Sequence, residues 1–118
     1  MIVYKSREEI EKLATAGSLA AEVIQELRKN IQVGITTLEL DRIAEDLIVR
    51  RKALPAFKGY KKGGLVFPST LCTSINEQVV HGIPSKRKLM GGDLISVDVG
   101  VIKDGYYGDS AFTDGVGE

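Results

Sequence analysis

Apolar residues recur at intervals of three and four along the first fifty positions, then at intervals of two towards the carboxy-terminal end. The first spacing predicts amphipathic helices and the second predicts half-buried strands. One helical pattern runs from about Arg7 to Asn30, with Ile10, Leu13, Ala14, Gly17, Ala20, Ala21, Ile24, Leu27 and Ile31 as its apolar stripe. Ser6 and Glu9 have capping-box spacing ahead of it. Glu8, Lys12, Glu22, Glu26 and Lys29 read as its solvated face. Thr36 and Glu39 repeat the capping pattern and open a second helix to about Lys52, with Leu40, Ile43, Ala44, Leu47 and Ile48 inward. Arg50, Arg51 and Lys52 then complement the negative end of that helix dipole.

Pro55 to Ser69 reads as a loop, with two prolines, three glycines and the aromatics Phe57, Tyr60 and Phe67. Aromatics in such a loop either tuck into the core or line a pocket. Met1 to Tyr4 is a short strand or a lead-in. Leu71 to Ile75 predicts a strand, Asn76-Glu77 a turn, and Val79 to Gly82 a second strand carrying His81. A lone histidine on a strand is structural or surface-lying in most proteins; the other reading is proton transfer or substrate orientation.

The alternation is strongest in LISVDVGVIKDGYYGDSAFT, from Leu94 to Thr113. Ile95, Val97, Val99 and Val101 alternate into Lys103-Asp104-Gly105, and a second run starts at Tyr106. Asp-Gly between two such runs predicts a β-hairpin. Its arms carry two aspartates, Asp98 and Asp109. With Asp104-Gly105 as the two loop residues, Asp98 faces Ala111 and Asp109 sits diagonally. A register shifted by two would set Asp98 opposite Asp109. Both registers leave the carboxylates on one face, roughly 4.5–8 Å apart. Like charges that close call for a cation between them, and carboxylate oxygens are good ligands for divalent ions. The alternative makes Asp98 a solvent-facing strand residue and Asp109 a turn residue after Gly108.

The chain has 118 residues, which suits one domain over 1–118. Sixteen basic and 16 acidic residues cancel to a formal net charge of zero. No field of one sign draws in nucleic acid or an anionic membrane, so neither is expected as a partner. One cysteine, Cys72, precludes an internal disulfide framework and fits a reducing compartment. No apolar run approaches the roughly 20 residues of a membrane span, and the amino terminus lacks a signal-peptide core. Cytoplasmic location is the expectation. Two helices followed by strands suggest an α+β layer, helices packed on one face of an antiparallel sheet. No further helix follows to cover the other face, as in half of a larger fold.

The segments PAFKGY, FPSTLCTSINEQVVHGIPS, GGDLISVDVG and DGYYGDSAFT, in that order, resemble type I methionine aminopeptidase over essentially the whole chain. The resemblance implies half of a pita-bread fold, in which two pseudo-symmetric α-β halves surround two divalent metal ions (Co, Mn, Fe or Zn). It implies removal of the initiator methionine from nascent polypeptides whose second residue is small. By resemblance, Asp98 chelates one metal and Asp109 bridges both. His81 hydrogen-bonds the substrate near the scissile peptide. Tyr60, Phe67, Cys72 and Phe57 line the methionine side-chain pocket, and the backbone around Asn76 and Gln78 matches a monovalent-cation site. The family completes its metal site with one histidine and two glutamates from its carboxy-terminal half, and this sequence stops before them. The expectation is weak metal binding and little or no peptidase activity from the isolated chain. The missing half is one expected partner. A second copy, paired through an apolar exposed sheet face into a non-catalytic homodimer, is the alternative.

Overall fold

The computed structural model describes residues 6–59, 61–62, 65–66, 68–76 and 82–117. Helix α1 spans Arg7–Lys29 and α2 spans Thr37–Arg50. Both start at complete capping boxes. Ser6 and Glu9 exchange side chain-to-backbone hydrogen bonds at 3.1 and 3.2 Å, and Thr36 and Glu39 do so at 3.0 and 3.4 Å. These bonds satisfy amide groups that a helix start would otherwise leave unpaired.

The strands are β1 (Leu54–Pro55), β2 (Lys61–Lys62), β3 (Leu65–Val66), β4 (Leu71–Ile75), β5 (Leu94–Lys103) and β6 (Tyr106–Gly115). Strand β5 is the spine of the main sheet. It pairs antiparallel with β6 along one edge, and with β4 and then β1 along the other. Strands β2 and β3 form a separate two-stranded ribbon. The stretch expected to be a plain loop therefore holds three short strands. The first is unpredictable from local pattern because Pro55 cannot donate a ladder hydrogen bond, which restricts it to sheet edges.

The core lies between the helices and one sheet face. Leu71 and Ile75 of β4, Ile95, Val97, Val99 and Val101 of β5, and Phe112 of β6 meet Leu19, Val23 and Leu27 of α1 and Leu40 and Ile48 of α2. The α1 stripe differs from the expected one. Its buried positions are Ala16, Leu19, Ala20, Val23, Ile24 and Leu27, whereas Ile10 is exposed and so are Ala14 and Ala21. The sequence admits two overlapping stripes of the same period. The sheet selects the one carrying Leu19 and Val23, which have more surface to bury than the alanines they displace.

The far side of the hairpin presents Ser96, Asp98, Gly100 and Ile102 on β5, and Tyr107, Asp109, Ala111 and Thr113 on β6. Ser96 and Thr113, opposite each other, share a 2.8 Å hydroxyl hydrogen bond. This face mixes the polar Ser96, Asp98, Asp109 and Thr113 with the exposed apolar side chains of Leu54, Leu94 and Tyr107, so it is apolar only in part. Among the described residues no helix is long and apolar enough to cross a membrane.

Of the second predicted strand, residues 79–81 lie outside the described residues. Gly82 belongs to no strand, yet its carbonyl accepts the Thr73 amide at 2.9 Å.

Candidate metal centre

The site is built from the turn upward. Asp104 and Gly105 both have positive φ, 51° and 83°. A two-residue hairpin loop of the primed type needs that at both positions, and its twist matches the strands it joins. The loop fixes Lys103 opposite Tyr106, and the register then runs unbroken: Gly100 faces Asp109 and Asp98 faces Ala111. This is the first of the two registers the sequence allows.

Asp98 and Asp109 therefore stand on one face at diagonal positions, about 7–8 Å apart along the backbone. Both are exposed. Side chains from that spacing can reach a common point, so the pair can offer several hard oxygen donors to one or two cations. Among the described residues no three His, Cys, Asp or Glu side chains gather closely enough to hold a metal ion. Among the described residues the pair Asp98 and Asp109 is thus as far as a carboxylate cluster goes on this face.

Cys72 is the cross-strand partner of Asp98 on the β4 side, so the two share a face. Burial pushes its thiol pKa up, and the charges of Asp98 and Asp41 push it further. Both effects favour the neutral thiol. Phe57 comes to the same place from the other direction. The Ala56 amide donates to the Gly100 carbonyl at 2.9 Å, and a Cβ built on Gly100 would lie 3.0 Å from the edge of the Phe57 ring.

Asn76 is elsewhere. It lies just past the end of β4, four residues on from Cys72 and about 13 Å away at strand rise. Its side chain donates to Asp93 at 3.0 Å and accepts the Leu94 amide at 2.8 Å. That closes the junction between β4 and β5. Tyr60, Phe67, Gln78 and His81 lie outside the described residues.

Two residues at the centre, Tyr107 and Gly100, escaped the sequence reading. Tyr107, two positions before Asp109, puts its hydroxyl over Gly100, 2.9 Å from where a Cβ would stand. Burial raises its pKa first, then the negative charges of Asp109 and Asp98. Period-two alternation was a usable signal, since residues 107 and 109 share a face, as do 98 and 100. A third, Asp41, is buried in α2 and accepts the Leu71 amide at 2.7 Å. It anchors the start of the strand that carries Cys72.

Comparison with known proteins points the same way. Residues 11–118 match the model of metallopeptidase family M24. Methionine aminopeptidase of Clostridium acetobutylicum is 50% identical over all of this chain and 46% of its own length. Methionine aminopeptidase 1 of Bacillus subtilis is 46% identical over 99% of this chain and 46% of its own. The crystal structure of methionine aminopeptidase from Rickettsia prowazekii superposes on the whole chain with a TM-score of 0.92 at 37% identity, over 46% of its own length. Prolidase from Pyrococcus furiosus shares the fold at 23% identity, with a TM-score of 0.73 over 97% of this chain and 31% of its own. The architecture is that of half a pita-bread fold. The chain spans about half the length of the curated relatives it matches.

Proposed function

The chain belongs to metallopeptidase family M24, and from that premise we propose that residues 1–118 are the amino-terminal half of a catalytic domain that removes amino-terminal methionine from nascent polypeptides. The observation that carries this reading is the register that sets Asp98 and Asp109 on one exposed face of one hairpin. Asp98 and Asp109 hold divalent ions there, two in the complete site, drawn from Co, Mn, Fe or Zn. Bound divalent ions supply Lewis acidity for amide hydrolysis.

The remaining roles fall to this chain's own side chains. Cys72 and Phe57, with Tyr60 and Phe67, form the slot for an unbranched thioether, which suits soft and aromatic walls. His81 hydrogen-bonds the scissile peptide and steadies charge as it develops. The backbone around Asn76 and Gln78 takes a monovalent cation. Two carboxylates leave most coordination positions to water, so the isolated chain is inactive and needs its carboxy-terminal half.

The test is complementation. The chain is mixed with the carboxy-terminal half of the Clostridium acetobutylicum relative, and methionine release from a Met-Ala-Ser peptide is followed. Release that requires both pieces, and that Asp109→Ala abolishes, supports the reading. No release from a correctly assembled pair contradicts it.

A further inference from the structure

The hairpin turn fixes which backbone groups of β6 face β5 and which face away. A two-residue turn makes Lys103 and Tyr106 a hydrogen-bonded pair, and hydrogen-bonded pairs then alternate along the ladder. Val116 keeps the same phase, donating its amide to the Asp93 carbonyl at 2.9 Å. Tyr107, Asp109, Ala111, Thr113 and Gly115 therefore turn their N–H and C=O groups away from β5. All of them are exposed. Among the described residues no strand pairs with that side of β6.

An unpaired ladder recruits another strand, and sheets guard such edges with prolines, lysines, bulges or short strands. Strand β6 runs ten residues with neither proline nor lysine, and its register with β5 is unbroken. Of its two acids, Asp114 is already held by Arg28 through two hydrogen bonds of 3.1 Å. The helix layer leaves room beside this edge. Gly17 lies against Gly108 of β6, yet a Cβ on Gly17 would meet nothing within 4 Å. Ala14 and Ala21 continue the same line of α1 and are exposed. Helix α2 lies off the other flank, where Arg51 pairs with Glu22.

We propose that β6 is an interface strand on which a second copy of this chain docks: the two β6 strands pair antiparallel about a two-fold axis at Ala111 and join the sheets edge to edge. This axis pairs every outward-facing residue. Tyr107 faces Gly115 of the second copy, Asp109 faces Thr113, and Ala111 faces its own counterpart. The largest side chain thus meets the smallest, and no two acids oppose each other. An axis at Asp109 would set like charges face to face, which is unfavourable. The contact uses the same edge on both copies, so assembly closes at the dimer. It stands on the geometry of the edge and not on the metallopeptidase reading.

The experiment follows the full chain by light scattering and amide exchange from the micromolar to the millimolar range. The expected mass rises from one chain to two. The amides of Tyr107, Asp109, Ala111 and Thr113 become protected as it does, while those of Ser110 and Phe112, which face β5, are protected throughout. Ala111→Pro removes an amide that β5 does not use, so the hairpin keeps its ladder. It deletes one hydrogen bond from each copy and weakens the dimer about 10-fold. Ala111→Lys sets two like charges on the axis and weakens it as well. A chain that stays single at every concentration would overturn the proposal, as would a dimer that both variants leave intact. Protection of these amides only when the carboxy-terminal half of the Clostridium acetobutylicum relative is added would assign the edge to that half and overturn it too.

Discussion

Gly108 lies directly against the backbone of Ala16: a Cβ on Gly108 would stand 2.5 Å from the Ala16 carbonyl carbon and oxygen, and 2.7 Å from the Gly17 amide nitrogen. The close contact lets α1 seat on β6, one residue before Asp109. Backbone atoms cannot move aside as a flexible side chain can. Gly108→Ala should therefore destabilise the chain by at least about 1–3 kcal/mol, the range for overpacking. Urea denaturation checks this, and a change below about 0.5 kcal/mol would contradict it.

Asp41 makes stability depend on pH. It accepts the backbone amides of Leu71 and Thr70, but burial outweighs them and raises its pKa. A carboxyl raised above its unfolded value of about 3.9 stabilises the fold fully below that value. The contribution is lost as pH rises through the folded pKa. The stability of wild type relative to Asp41→Asn should therefore increase as pH falls from neutral towards about 4. Parallel urea midpoints for the two proteins across that range would contradict the assignment.

Asp93 carries the opposite sign. The Met90 amide donates to it at 2.9 Å and the Asn76 side chain at 3.0 Å, and these bonds, with Arg87, lower its pKa. Its contribution is present above the unfolded value of about 3.9 and disappears as pH falls through the folded pKa. Asp93→Asn should lose stability at neutral pH and approach wild type in acid. A deficit that stays constant down to about pH 2, well below the unfolded value, would show that charge is not the cause.

What the sequence revealed and what it hid divide along physical lines. Both helix starts and the hairpin turn were legible because their determinants sit within four residues: Ser6 with Glu9, Thr36 with Glu39, and Asp104 with Gly105, while two registers stayed open until the turn geometry chose one. The α1 stripe was misread because two faces share one period, and only the sheet chooses between them. Asp41 was invisible because its partner Leu71 is 30 residues away. Gly100 carried no signal of its own in the sequence. Its meaning depends on Ala56 and Phe57 crossing over from β1, which no local pattern reports. Asp98 and Asp109 were legible as a pair on one face, and the roles given to His81, Tyr60 and Phe67 came from resemblance alone.

The central claim is that the Asp98–Asp109 face of the hairpin is where this chain takes up a divalent ion. Mn(II) broadens NMR lines of nearby nuclei even when it binds weakly, so stepwise addition to the isotope-labelled chain locates its preferred site. The account predicts that resonances of Asp98, Tyr107, Asp109 and Cys72 broaden first, and that Asp109→Ala removes the preference. Broadening that starts at the helix acids Glu8, Glu11 or Asp46, and is unaffected by Asp109→Ala, would contradict it.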